Sequence, residues 1–215
     1  MKLKICGMKY QENVAEVGTL HPDYLGFIFY EKSSRFFNGT LPELPKEIKK
    51  VGVFVNASVK EIKQKIAHYN LDLVQLHGEE SPEFCQTLMT DLSKKIEIIK
   101  VFSVNEQFNF NVLKPYEAVC DYFLFDTKGR LPGGNGYTFN WDVLIQYPST
   151  KPYFLSGGIG LEEMENIKQF MQGEASKYCY AIDVNSQFEI AAGLKDYKKL
   201  KEFKNHITSS DFTAH

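Results

Sequence analysis

Short apolar runs alternating with amphipathic or capped stretches along nearly all of the 215 residues constrain the fold more than any other feature of this chain. The runs fall near Leu3–Cys6, Tyr24–Phe29, Lys50–Val55, Leu73–Leu76, Ile96–Val101, Tyr122–Phe125, Tyr153–Leu155 and Tyr180–Asp183. Helical character follows near Gln11–Leu20, Glu43–Lys49, Val59–Tyr69, Pro82–Thr90, Glu106–Tyr116, Trp141–Gln146, Leu161–Met171 and Leu194–Asn205. In the third of these, Val59, Ile62, Ile66 and Tyr69 recur at helical spacing, with lysines on the opposite face. Ser58 precedes Val59-Lys60-Glu61 as a cap, and Ser81-Pro82-Glu83 places proline at a first helical position.

A helix between two strands returns the chain to its starting end, so successive strands lie parallel. Eight such pairs predict a single (β/α)8 barrel, the TIM-barrel architecture, with an outer ring of helices. An open doubly wound sheet is the competitor, but it more often has five to seven strands. No Pro/Ser-rich linker divides the chain, so one domain is expected over residues 1–207, with 208–215 as a polar tail.

Composition excludes several classes of function. A hydrophobic content of 43% and a charged content of 24% suit a soluble globular chain. The net charge of −2 gives no reason to expect nucleic acid or an anionic membrane as a partner. No apolar run approaches the length of a membrane span. Met1–Cys6 lacks the apolar core of an export signal, so a cytoplasmic location is expected. Cys6, Cys85, Cys120 and Cys179 are widely spread with no CxxC pair, which argues against a zinc site and a disulfide framework. The five histidines form no HExxH or His-x-His pattern, so no metal is implied.

A barrel of this kind carries its chemistry where strands end and loops begin. The first strand ends in Cys6-Gly7, the fourth in Gln75-Leu76-His77-Gly78-Glu79, and the sixth in Asp126-Thr127-Lys128-Gly129 ahead of Gly133-Gly134-Asn135-Gly136. The seventh ends in Ser156-Gly157-Gly158-Ile159-Gly160 and the eighth in Asp183-Val184-Asn185-Ser186. Glycines between a strand and a helix suit phosphate, because bare N–H groups and the helix dipole both favour an anion; a tight turn that requires glycine is the other reading. Period-two alternation puts Lys2, Lys4 and Cys6 on one face of the first strand and Leu3 and Ile5 on the other. The apolar face must meet the helices, so Lys4 and Cys6 point into the barrel, where Lys4 needs a carboxylate or other polar partners. A neighbouring lysine and a helix start lower a thiol pKa from about 8.5, although a buried cysteine also serves as a small hydrophobe. Asp126 shares an inward face with Tyr122 and Leu124 and is either an acid opposite Cys6 or a loop anchor. Asp183 has the same two readings. His77 is a candidate site residue or a satisfied polar side chain. Arg35 is a solvated cation or a bidentate clamp for a carboxylate.

These segments resemble the phosphoribosylanthranilate isomerases of tryptophan biosynthesis. The likeness runs through Lys4-Ile5-Cys6-Gly7-Met8, Gly26–Tyr30 with Lys32-Ser33-Ser34-Arg35, and Val51–Asn56. It continues through Val74–Glu79, Phe125–Lys128 with Gly133–Gly136, and Leu155–Gly158, in order across nearly the whole chain. The resemblance implies an Amadori rearrangement of N-(5-phosphoribosyl)anthranilate to 1-(2-carboxyphenylamino)-1-deoxyribulose 5-phosphate. Asp126 would be the general acid, with a pKa raised by burial or a nearby negative charge, and Cys6 the thiolate base. Arg35 would hold the anthranilate carboxylate, with His77 and Lys4 close to substrate. Gly157, Gly158, Asp183, Asn185 and Ser186 would hold the phosphate. Neither cofactor nor metal is implied; the partner is a phosphorylated aminosugar, and the chain acts as a monomer or homodimer.

The sequence departs from the family after the eighth strand, reading Asp183-Val184-Asn185-Ser186-Gln187-Phe188-Glu189 where Asp-x-Ser-Ser-Gly-Val-Glu is usual. Gln187 in place of glycine implies that no glycine-only backbone angle is needed there. The loop Gly129-Arg130-Leu131-Pro132 carries a cation for substrate or for solvent. The alternatives are a histidine-pathway aminoaldose isomerase, which has aspartate in place of Cys6 and two phosphate halves, and a non-catalytic phosphosugar-binding barrel.

Overall fold

In a computed structural model, which describes residues 1–92, 96–127 and 141–209, eight parallel strands close on themselves in sequence order. They are β1 (Lys2–Ile5), β2 (Tyr24–Ile28), β3 (Lys49–Phe54), β4 (Leu73–Leu76), β5 (Glu97–Val104), β6 (Tyr122–Thr127), β7 (Tyr153–Ser156) and β8 (Cys179–Val184). β1 pairs with both β2 and β8, which rules out an open sheet. The register stacks inward-facing residues into layers: Lys4 lies beside Tyr24 and Asp183, Val53 beside Gln75, and Asp126 beside Ser103 and Ser156. A core of Val51, Leu73, Ile99, Val101, Leu124, Phe154 and Ala181 fills the barrel. The outward set (Leu3, Ile5, Leu25, Phe27, Val74, Leu76, Phe123, Phe125) packs under the outer layer. At the N-terminal end Tyr24 and Tyr122 meet Phe154 edge to face and Tyr180 stacks on Tyr122, closing the floor, with the Lys2 ammonium 5.3 Å from the Tyr180 ring centroid.

The outer layer is less helical than the sequence pattern predicts. Among the described residues the α-helices are α1 (Gln11–Gly18), α2 (Val59–Tyr69), α3 (Pro82–Asp91), α4 (Met164–Gln172) and α5 (Tyr197–Ile207). Ser58 accepts from the Glu61 N–H and Ser81 from the Phe84 N–H, so both expected caps form. The helix expected over Glu43–Lys49 is absent. Pro45 removes a donor, Leu44 before it is driven from the helical region, and β3 takes up Lys49. The stretches expected as helices near Glu106–Tyr116 and Trp141–Gln146 are 3-10 turns over Phe110–Tyr116 and Trp141–Gln146. Their buried residues, Phe110 and Leu113, then Trp141 and Leu144, are three apart, matching a three-residue turn. Between β8 and α5 the chain makes an unanticipated antiparallel hairpin, β9 (Glu189–Ala191) and β10 (Leu194–Lys195). α5 therefore starts at Tyr197, capped by Asp196, rather than at Leu194. The loop at 129–132, the glycines at 133–136 and most of the expected tail lie outside the described residues.

Candidate active site

The inward residues of the last layer surround a cavity of about 190 Å³ at the C-terminal ends of the strands. Cys6, Gln75, His77, Asp126 and Asp183 line it, together with Ser156-Gly157-Gly158-Ile159 and Asn185-Ser186-Gln187. Larger space of about 590 Å³ lies elsewhere, beneath the irregular connection between β2 and β3, and contains none of these groups.

Cys6 is held by a backbone bond from its N–H to the Val184 carbonyl, 2.9 Å. Its thiol lies against Gly26: a Cβ on that residue would come within 2.8 Å of Sγ. Lys4, one layer deeper, forms a fully buried ion pair with Asp183, Nζ to Oδ1 2.9 Å. The carboxylate that Lys4 needs thus comes from the neighbouring strand of the closed barrel. Lys4 also reaches the thiol. Burial raises the Cys6 pKa above its ordinary value, Lys4 and Lys195 oppose this, and the Asp183 charge adds to it. The net direction is upward, so the depressed thiol pKa expected from sequence is corrected: desolvation outweighs the lysine.

Across the cavity, His77 Nε2 lies 3.9 Å from Asp126 Oδ2. Burial, with Lys4 and Lys100 nearby, lowers the His77 pKa below its ordinary value, so the ring is neutral at pH 7. Its loop is fixed from beneath. Lys100 donates to the Gly78 carbonyl at 2.7 Å and to Glu80 at 3.1 Å, while Glu80 accepts from the N–H groups of Asn56 and Gly78. Lys100 and Glu80 were not anticipated, although Lys100 inside Ile98-Ile99-Lys100-Val101 carries the same signal as Lys4: a cation in an apolar strand requires a partner.

Gly157 and Gly158 follow β7 with φ of 107° and 68°. Only glycine adopts these angles cheaply, and a Cβ on Gly158 would meet nothing within 4 Å, so this backbone faces open space. A 3-10 turn over Leu161–Glu163 intervenes before α4. Gln187 has no positive φ, as its replacement of glycine implies, and Gly160 packs against its Cβ. Asp183 is committed to Lys4, so what this turn presents to an anion is backbone and the Ser186 side chain rather than a carboxylate.

Arg35 is not among the cavity's lining residues. Its Nε and Nη2 donate to the Glu189 carboxylate at 2.8 and 2.6 Å. Lys195, fully buried, donates to Glu189 at 2.7 Å and to Asn185 Oδ1 at 2.7 Å. Arg35, Glu189, Lys195 and Asn185 therefore tie the loop after β2 to the turn after β8. A Cβ on Gly7 would strike both Arg35 Cδ and Asn185 Oδ1, so this bridge stands directly over the end of β1.

Among the described residues no three His, Cys, Asp or Glu side chains are grouped to hold a metal ion, and no helix is long and apolar enough to cross a membrane. Fold and mouth define a (β/α)8 barrel with a cavity at the C-terminal ends of its strands, lined by Cys6, His77 and Asp126 together with the Gly157-Gly158 turn. Comparison with known proteins gives the family. Residues 3–206 match N-(5'phosphoribosyl)anthranilate (PRA) isomerase, and the chain belongs to that family. The N-(5'-phosphoribosyl)anthranilate isomerase of Parabacteroides distasonis is 42% identical, over 96% of this chain and 93% of its own length. The crystal structure of phosphoribosyl anthranilate isomerase from Thermotoga maritima is 31% identical, with a TM-score of 0.76 over 96% of this chain and 98% of that one. A further phosphoribosyl anthranilate isomerase, crystallised with reduced 1-(o-carboxyphenylamino)-1-deoxyribulose 5-phosphate, is 28% identical, with a TM-score of 0.74 over 96% of this chain and 97% of that one.

Proposed function

We propose that this chain converts N-(5-phosphoribosyl)anthranilate into 1-(2-carboxyphenylamino)-1-deoxyribulose 5-phosphate, with Asp126 as acid and Cys6 as base. The observation that carries the reading is that Cys6 and Asp126, 120 positions apart in sequence, line one cavity beside the Gly157-Gly158 turn. Protonated Asp126 gives its proton to the furanose ring oxygen. The C1–O bond breaks, and the anilinic nitrogen lone pair forms the C1=N iminium. The iminium withdraws electrons from C2, so the Cys6 thiolate takes the C2 proton and leaves an enolamine. That enolamine tautomerises, O2 losing a proton and C1 gaining one, to the product ketone. Solvent returns Cys6 and Asp126 to their starting protonation states. No atom or electron is gained overall, so the chemistry calls for neither redox group nor cosubstrate.

Phosphate binding is assigned to the N–H groups of Gly157 and Gly158 and to the Asn185-Ser186 turn, with Asp183 acting through Lys4. Arg35, held on its Nε edge by Glu189, offers its other edge to the anthranilate carboxylate. The reading carries with it a cytoplasmic location and action as a monomer or homodimer.

The test is loss of substrate fluorescence when the substrate is generated in situ from anthranilate and phosphoribosyl pyrophosphate by a transferase. Cys6→Ser and Asp126→Asn should each lower kcat by about 10²–10⁴, the usual worth of a positioned acid or base, while both still bind the reduced product analogue. A wild-type rate in either variant would remove that residue from its role.

A further inference from the structure

Among the described residues, one buried side-chain oxygen has no hydrogen-bond partner: Oε1 of Gln75. Gln75 is 1% exposed, points inward from β4 beside Val53 and Ile99, and lines the cavity. Its other end is engaged, with Nε2 3.4 Å from Nδ1 of His77. A neutral ring that accepts at Nδ1 carries its proton on Nε2, the nitrogen that faces Asp126. A buried carbonyl is costly to leave unpaired, and polar sites left open in this way are filled by a group the folded chain does not itself supply.

We infer that Gln75 is a substrate-binding residue, accepting a hydrogen bond at Oε1 from a hydroxyl of the pentose chain while Nε2 fixes the His77 ring toward Asp126. The inference rests on the isomerase reading above. On that reading the glycine turn after β7 takes the phosphate and Arg35, in the loop after β2, takes the carboxylate. The sugar carbons worked on by Cys6 and Asp126 then lie in the cavity whose lining includes Gln75. Apart from the anilinic N–H on C1, the donors those carbons carry are hydroxyls, which match an acceptor oxygen. A buried acceptor that the protein leaves unpaired recognises such a hydroxyl more strongly than an acceptor that exchanges with solvent does.

The experiment is a coupling measurement by calorimetry. It uses wild type and Gln75→Met, with the reduced product analogue and three versions each lacking one of its pentose hydroxyls. Gln75→Met conserves volume, so thermal denaturation should show it equal to or more stable than wild type, because the unpaired oxygen is gone. It should bind the full analogue roughly tenfold more weakly. One deoxy analogue should lose similar affinity on wild type but bind Gln75→Met and wild type equally. Additive losses with all three deoxy analogues would overturn the inference and leave Gln75 facing water. If Gln75→Met is less stable, Gln75→Leu replaces it in the same cycle: equal binding of that deoxy analogue by variant and wild type supports the contact, and additive losses overturn it. Failure of wild type to bind the full analogue would instead remove the isomerase reading, and this inference with it.

Discussion

Cys6 sits in two opposed fields. Burial and the Asp183 carboxylate favour the neutral thiol, Lys4 and Lys195 favour the thiolate, and the outcome lies above the ordinary value of 9.0. A base with a raised pKa is scarce in its active form at neutrality but strong when formed. In the unliganded enzyme the rate of inactivation by iodoacetamide, which reads the Cys6 thiolate and does not depend on protonated Asp126, should therefore rise with pH, about tenfold per unit, through neutrality and past pH 9 before levelling. Lys4→Met removes the largest opposing charge and leaves Asp183 uncompensated, so its inflection should lie higher and its inactivation rate at pH 8 about tenfold lower. A rising limb that levels below pH 8 in the wild-type profile would contradict this balance. The inward direction of Lys4 was legible from alternation along the first strand. Its partner was legible only as a requirement, because Asp183 is 179 residues away and strand closure alone brings them together.

At the scale of elements, the turn and hairpin after β8 depend on one carboxylate. Burial alone would raise the Glu189 pKa, but hydrogen bonds from Arg35 and Lys195 outweigh it and hold the group at about 2. An unfolded glutamate titrates near 4.3, so the folded chain favours the ionised form. That stability is fully present above about pH 4.3 and is lost as pH falls from there through about 2. Glu189→Gln strands Lys195 and Arg35 together and should destabilise the protein by roughly 3 kcal/mol at pH 7. In urea titrations the gap from wild type should shrink as pH approaches 2; a gap independent of pH would mean that the ion pairs are not its source. The hairpin bearing Glu189 escaped sequence analysis because strands of three and two residues are too short for period-two alternation to register. The helix expected at Glu43–Lys49 failed for the opposite reason. There Pro45 governs the backbone whatever the neighbouring side chains prefer.

For the molecule as a whole, closure depends on the first and last strands meeting and on the last helix covering that seam. Leu200, Phe203 and Ile207 of α5 are buried in the outer core shared with Leu3 and Ile5. At about 1.5–3 kcal/mol for each fully buried side chain, these three contribute roughly 5–9 kcal/mol, comparable to the whole stability of an ordinary domain. Ending the chain at Asp196 should abolish the cooperative thermal transition by circular dichroism and expose surface that binds ANS. A sharp transition retained within a few degrees would show that α5 merely decorates the barrel. Removal of α5 and the Glu189 variant also differ in kind: the first opens the core, the second unties two loops above an intact core.

The eight-stranded parallel barrel, the inward faces of the first and sixth strands and the positions of Cys6, Asp126 and Gly157-Gly158 at strand ends were all written locally in the chain. Alternation, helical spacing and glycine act over two to four residues, so the residues themselves carry them. Tertiary structure alone decided which charges meet, because Lys4 with Asp183, Lys100 with Glu80, and Arg35 with Glu189 and Lys195 depend on which loops closure stacks over one another. It also decided the ionisation of Cys6, since the cost of removing a charge from water is set by everything packed around it rather than by the lysine two residues away.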